Sequence, residues 1–251
     1  MGIKEFELSF DVLYNNISSN QAPSLNSYEK SVFLTRAQEE KVKISFFSSG
    51  EGLKGFDGNQ KSQIDFSFLM TDADADYAGS SSNIAGVHDP RALIFDLPDG
   101  IMFIVNEAIY FTNSNNSLYA MRQVVPISYD EYTRLMQKPY KEPYKNQAWR
   151  LLVQKGTVGH RADIILHSAD IMDYIGSDLS SIDDKVRYAI RYVRYPKPII
   201  LTNLHEAYGP TVNIHGEYEP ISPTIACELD ESVHEEILQR AVELAKASWA
   251  G

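Results

Sequence analysis

The apolar positions at the start of the chain fall at helical spacing. Phe6, Phe10, Leu13, Tyr14 and Ile17 form one stripe over residues 6–17, the pattern of a short helix with one buried face. Asn15, Asn16, Ser18, Ser19, Asn20 and Pro23 break it, because these side chains favour turns over helix interiors. Asn26 followed by Glu29 reads as a capping box that opens a second helix. That helix sets Phe33, Ala37 and Ile44 on one side, with Glu29, Lys30, Arg36, Glu39, Glu40 and Lys43 elsewhere, and ends near Ser48-Ser49-Gly50.

Further on, the period shortens. Residues 50–62 are glycine-rich and polar, and Gln63–Met70 alternates partly, as a strand or tight packing segment does. Residues 71–90 hold Asp72, Asp74, Asp76, Gly79, three serines and Gly86, which reads as a long mobile loop or an insertion. Arg91–Leu97 and Ile101–Thr112 flank Pro98-Asp99-Gly100, a hairpin signal. Leu118–Ile127, Gln147–Gln154, Arg161–Ser168 and Val186–Tyr195 follow as strands, with a short helix, Tyr129 to Gln137, capped by Ser128 and stopped by Lys138-Pro139 and Glu142-Pro143. The chain closes with a helix over Ser232–Trp249, with Ser232 and Glu235 as its capping box and Ile237, Ala241, Leu244, Ala245 and Trp249 as its buried face. No internal repeat and no long low-complexity tract interrupts this order.

These elements predict an α+β fold: a helical N-terminal arm of two helices, a mainly antiparallel β-rich central region and a C-terminal amphipathic helix. At 251 residues the expectation is a single domain. Its parts are the arm at 1–50, a β-rich body at 51–226 with the mobile loop near 71–90, and a helix at 227–251 packed on the body.

Composition narrows the function classes. Hydrophobic residues make up 43% and the net charge is −11. Such a balance disfavours binding through phosphate contacts, which needs a Lys and Arg excess on one face. It suits a surface past which DNA slides without adhering. One cysteine, Cys227, permits no internal disulfide. The opening MGIKEFELSF has no basic stretch followed by an apolar run, and Phe6 stands where a myristoylation motif needs Ser or Thr. No apolar run approaches the roughly 20 residues that span a bilayer, so folding in a reducing cytoplasm is expected. Fifteen tyrosines against two tryptophans suit either half-buried strand positions or surfaces that become buried on assembly.

No motif completes a catalytic set. Asp72, Asp74 and Asp76 begin like a calcium loop, but Tyr77 stands at its sixth position and Asn83 at its twelfth, where Gly and Glu are required. His205-Glu206 and His215-Gly216-Glu217 offer His beside acid, and His160 and His167 lie seven apart, without the convergent set a zinc site needs. Cys227 sits between Ala226 and Glu228, surroundings of an inert thiol. No GxSxG occurs, and Lys155-Gly156-Thr157-Val158-Gly159 lacks the order of a P-loop. The basic-aromatic run of Arg187, Tyr188, Arg191, Tyr192, Arg194, Tyr195 and Lys197 is the remaining cluster. It reads as an interface stripe, a solvated strand face or a contact to DNA backbone, and charge complementarity in an acidic protein favours the interface.

The patterns with a family resemblance begin in the first arm: Phe10–Ile17, Ser19–Pro23, Leu25, Tyr28–Lys30 and Leu34–Glu40. They continue through Phe56-Asp57, Gln60-Lys61, Gln63–Phe66, Val125–Tyr132, Pro139-Tyr140, Pro143, Ala148–Arg150, Arg191–Ile200, Cys227–Leu229, Glu236–Leu238 and Ala241–Ala245. In these the sequence resembles virion structural proteins of crAss-like tailed phages. The resemblance implies a ring protein of the portal-tail assembly, a head-to-tail connector or tail-barrel subunit. Such a subunit would form dodecameric rings stacked below the portal protein, bind neighbouring rings and surround the path of genomic DNA. It implies no catalytic residue, metal or cofactor, and a place in the virion after assembly in the host bacterial cytoplasm.

A ring of this kind needs two unlike, complementary faces on each subunit. The acidic residues Asp72, Asp74 and Asp76 and the basic residues Arg187, Arg191, Arg194 and Lys197 are one expected pair. The exposed side of the second helix, with Glu29, Arg36, Glu39 and Glu40, is another contact surface. Two other readings stay open: a phage-encoded metal-dependent hydrolase using His205, Glu206, His215 and Glu217, and an internal virion cargo protein ejected with the DNA.

Overall fold

The computed structural model describes residues 1–17, 24–47, 66–80, 89, 91–112, 118–138, 141–154, 159–176, 185–202 and 224–250. The helices are α1 (Ile3–Ile17), α2 (Ser27–Phe47), α3 (Tyr129–Met136), α4 (Ser168–Asp170, continued with wider π winding by Ile171–Ile175) and α5 (His234–Ala250). The strands are β1 (Met70–Ser80), β2 (Ala92–Asp96), β3 (Ile101–Thr112), β4 (Leu118–Pro126), β5 (Gln147–Gln154), β6 (His160–Ile165) and β7 (Val186–Arg194). The fold is α+β, as the patterning predicts. It divides into two compact units, Met1–Leu69 with Tyr195–Gly251, and Met70–Arg194.

In the first unit α1, α2 and α5 pack together. Phe6, Phe10 and Tyr14 of α1 are buried as their spacing predicts. The capping box of α2 is present: Glu29 N donates to Asn26 Oδ1 and Asn26 N to Glu29 Oε2, both at 2.8 Å. The inner face of α2 is not the expected one. Leu34, Ala37 and Val42 are buried, and Ile44 is 57% exposed. The buried face also carries Ser31 and Gln38, because α2 packs against an extended backbone at 197–201. Leu201 N donates to Ser31 Oγ (3.0 Å), Ile199 N to Thr35 Oγ1 (3.1 Å), and Gln38 Nε2 to Lys197 O (3.2 Å). Three polar side chains at i, i+4 and i+7 thus supply the hydrogen bonds a neighbouring strand would give. On its other side, Ile200 bridges Ile225 through two 2.9 Å bonds.

At the third helix, Ile237, Ala241 and Ala245 are buried as expected, joined by Leu238 and Val242, while Leu244 is half-buried. The cap differs. Asp230 accepts from Ser232 N at 2.9 Å and opens a 3-10 turn, Glu231–Val233, so α5 starts at His234 instead of following a Ser232–Glu235 box. An aspartate two residues upstream offers a carboxylate to both the amide and the hydroxyl of Ser232, an Asx turn ahead of the helix.

The second unit is a closed barrel with strand order β1-β2-β6-β5-β4-β3-β7. All pairings are antiparallel except β4 with β5. Parallel neighbours need a crossover, and α3 supplies it, with Ser128 Oγ accepting from Glu131 N at 3.2 Å as its cap. Tyr132 and Leu135 of α3 pack on an outer apolar patch of Ala92, Trp149, Leu151 and Ile165. The inward positions fill the barrel: Ala75, Leu93, Phe95, Ile109, Phe111, Val124, Ile164, Val186, Tyr188 and Ile190 among them.

Two expectations in this unit fail. Residues 71–80, read as part of a mobile loop, belong to strand β1; residues 81–88 lie outside those described. Asp is a poor strand former, yet Asp-Ala-Asp-Ala-Asp-Tyr is a strict alternation. Ala73, Ala75 and Tyr77 face the barrel core and Asp72, Asp74 and Asp76 are exposed. The Asp99-Gly100 turn forms, with Gly100 at φ +77°, but it joins no hairpin. β2 is already paired with β1 and β6, and β3 with β4 and β7. The connection therefore crosses one end of the barrel.

α4 packs its Ile171, Tyr174 and Ile175 onto the barrel core. Arg122 reaches Asp170 of α4 with Nη2 at 2.7 Å and Nε at 3.0 Å, and its guanidinium lies 5.8 and 5.7 Å from the ring centres of Phe111 and Tyr174. This pair is buried, so removing one partner strands the other. Asp170→Ala should lower the stability of the barrel by about 3 kcal/mol or more in urea denaturation, and Arg122→Met with Asp170→Leu by less than the single change.

Candidate subunit interface

The outward face of β1, β7 and β3 holds Asp72, Asp74, Arg187 and Arg191 of the expected interface residues. Asp74 pairs with Arg187 at 2.7 Å, and Asp72 lies 3.7 Å from Arg191. The register explains this: Asp72 stands directly opposite Arg191, and Asp74 opposite Ala189 beside Arg187. The acidic and basic sets expected on two separate faces therefore meet within one chain. Small residues, Ala189 and Ala108, form the floor of a groove of about 340 Å³ there, walled by Asp72, Asp74, Arg187, Arg191, Asn106 and Tyr110. Asp76 lies opposite Asp96, which Arg161 holds at 3.0 Å. Arg194 is half-buried at the end of β7.

The expected residues of the helical unit are scattered. Glu29 is spent on the α2 cap. Glu39 pairs with Lys43 at 3.3 Å, and Glu40 with Arg240 of α5 at 2.7 Å. Arg36 is exposed. Lys197 donates its backbone N to Glu228 Oε1 at 2.6 Å, and its side chain is exposed.

Inside the barrel lies a polar set that sequence spacing does not reveal. Tyr188 Oη donates to Glu107 Oε2 at 2.5 Å, and Arg150 Nε lies 3.0 Å from Glu107 Oε1. Bulges in β3 against β7, at Ile101/Phe103 and Ile104/Asn106, change its side-chain parity. They put Glu107 on the inner face with Ile109 and Phe111. Burial holds the Glu107 carboxyl above its ordinary range despite Arg150 and Tyr188, and burial with Glu107 pushes the Tyr188 hydroxyl up. Glu107 and Tyr188 are buried and bonded to each other, which makes them a packing element of the barrel.

Among the described residues no three His, Cys, Asp or Glu side chains gather as metal ligands. His205, Glu206, His215 and Glu217 lie outside the described residues. His167 is a helix cap: its Nδ1 accepts from Ala169 N at 3.0 Å. Burial raises the Cys227 thiol to about 11, so it is a poor nucleophile. No helix among the described residues is long and apolar enough to cross a membrane.

The segment after α3 presents a further polar surface feature. Glu142 is a clamp: Oε2 accepts from Ser168 N (3.0 Å) and Ser168 Oγ (2.6 Å), Oε1 lies 3.2 Å from His167 Nε2, and Arg91 is 3.5 Å away. Pro143 is buried. Gln147 N donates to Tyr144 O at 2.8 Å, closing a turn. Tyr144 is left 74% exposed, flanked by exposed Lys141 and Lys145. The signal in the sequence is a tandem Pro-Tyr-Lys at 139–141 and 143–145, too short to register as a repeat.

A model of the phage tail ring protein 3/4 family matches residues 1–250. The chain belongs to this family. It is 44% identical to "Ring protein 4/5" of Bacteroides phage crAss001, over all of this chain and 94% of that protein. It is 28% identical to "Ring protein 3" of the same phage, over 96% of this chain and 94% of that one. As a crAss-like phage ring protein it is a structural, tail-related virion component. For a tail ring protein the relevant geometry is its surface, and the clamped turn and the charged strip of β1, β7 and β3 are two polar surfaces that the barrel unit presents.

The Glu142 clamp has a pH signature. Hydrogen bonds from Ser168, then the charges of His167 and Arg91, hold this carboxyl below its ordinary value of 4.5. Its stabilisation is complete above that value and disappears as pH falls through the lower value of the folded protein. The protection factor of the Ser168 amide, its exchange rate relative to an unstructured chain at the same pH, should hold down to about pH 4.5 and then fall. In Glu142→Gln the Ser168 amide should exchange faster at neutral pH, without that acid transition.

Proposed function

We propose that copies of this chain close head to tail into a dodecameric ring in the portal-tail assembly. In this reading it is a non-enzymatic head-to-tail connector or tail-barrel subunit. It contacts the portal protein and neighbouring ring proteins and surrounds the passing genomic DNA. The observation that carries this is the family match over residues 1–250, which spans both compact units of the chain. The filled barrel supports a structural role, since its inward positions hold apolar side chains and bonded polar pairs. The net charge of −11 supports a conduit, because like charge keeps DNA from adhering.

We propose that the exposed residues Asp72, Asp74, Asp76, Arg187 and Arg191, with Lys197 and the α2 residues Arg36, Glu39 and Glu40, take part in subunit contacts, beside Arg194 at the end of β7 and Glu29 at the α2 cap. Exposed ion pairs such as Asp74–Arg187 stabilise by about 1 kcal/mol at most, so they can exchange partners when a neighbour docks. Light scattering and native mass spectrometry of the purified chain, alone and with portal protein, should give a closed species of twelve copies or a specific portal complex. A monomer indifferent to every virion protein would contradict the reading. Replacing Arg187, Arg191 and Arg194 by Gln should weaken ring formation while shifting the unfolding free energy by only about 1 kcal/mol per exposed pair lost.

A further inference from the structure

We infer that the clamped Tyr144 turn of one subunit seats in an apolar groove between α1 and α5 of the next copy. This rests on the ring reading above and names two unlike faces that would close the ring.

The groove has about 320 Å³ and is lined by Met1, Leu8, Val12, Leu13, Leu238 and Glu235. Phe6, Phe10 and Tyr14 occupy the inner face of α1, so Leu8 and Val12 form a second apolar stripe, one turn apart, on the outer face. They are 67% and 59% exposed. A helix in contact with water gains nothing from such a stripe unless a partner covers it.

Charge selects the occupant. The helical unit carries 18 Asp and Glu against 10 Lys and Arg, a net −8 of the chain's −11. At the start of α5, Glu231 pairs with the Met1 ammonium at 3.1 Å and Glu236 with Lys41, and on α1 Glu7 and Asp11 share Lys30, so the acid that the groove itself presents is Glu235. The barrel unit supplies the opposite character. Lys138, Lys141 and Lys145 are exposed, and no carboxylate pairs with them among the described residues. The acid between them, Glu142, is turned inward onto Ser168, His167 and Arg91.

The turn therefore presents an aromatic side chain between lysines, and the groove presents apolar walls beside Glu235. Tyr combines a large apolar body with few rotatable bonds, which suits a docking anchor. The Glu142 clamp and buried Pro143 fix the turn beforehand, so little ordering entropy is lost on docking. The two surfaces lie on different units of the chain. Their contact is heterologous, the class that closes into rings.

Two single-cysteine chains test this in a Cys227→Ser background: Val12→Cys and Tyr144→Cys. Mixed and mildly oxidised, they should yield a covalent heterodimer at least tenfold above either chain alone. Lys138, Lys141 and Lys145 changed together to Glu should raise the concentration for half-assembly at least tenfold, and Glu235→Lys should recover part of it. If the unaltered chain assembles but the mixture gives no heterodimer, the inference fails and the ring reading stands. If Tyr144→Ala leaves homo-assembly intact and abolishes binding of a different ring protein, the occupant is that protein and the inference fails. If the unaltered chain never assembles, the ring reading fails with it.

Discussion

Closing seven strands around one shared interior constrains everything else in the barrel unit. The inner volume is fixed by strand number and tilt, so large side chains on one strand demand small ones opposite. Tyr188 and Ile190 of β7 point inward, and β1 sets Ala75 and Ala73 opposite them. The same alternation sends Asp72 and Asp74 outward, where Arg187 and Arg191 lie beside them. One packing requirement thus sets the core of β1 and the charge of its outer surface together. Two polar sets complete the interior, Glu107 with Tyr188 and Arg150, and Arg122 with Asp170. The second ties α4 to the barrel core.

The helical unit solves a different problem. An extended segment, 197–201, lies against a helix and has no full strand partner. Ser31, Thr35 and Gln38 meet its backbone groups from the side of α2. Unpaired backbone groups in a buried position would cost about 1–3 kcal/mol each, which explains why a weakly amphipathic helix has polar side chains on its buried face.

Much of the element order is legible in the sequence, because β3, β5 and β7 and the caps at Asn26 and Ser128 depend on local chemistry alone. What escapes depends on partners distant in the chain. Asp-Ala alternation in β1 looks like loop, since neither residue favours strands, and only the opposing tyrosines and arginines of β7 make it one. Asp99-Gly100 makes its turn locally, but which strands flank it is decided by the whole barrel. Ile44 has helical spacing from Ala37 and still faces water, because hydrogen bonds to 197–201 fix the rotation of α2. For the surface, the charged residues were visible and their internal pairing was not. The Tyr144 turn is set by the contacts of Glu142 with Ser168, which no spacing rule anticipates.

Membership of the phage tail ring protein family turns the question of function into one of faces and neighbours. A subunit with a rigid barrel, an acidic helical unit and a basic clamped turn has unlike surfaces of the kind a cyclic assembly uses. Symmetry-resolved electron cryo-microscopy of the virion vertex tests that account most directly. The account predicts a closed ring of this chain around the DNA path, with each subunit contacting the next through unlike surfaces. Density for the chain inside the capsid without rotational order, or a symmetric two-fold contact between copies, would contradict it.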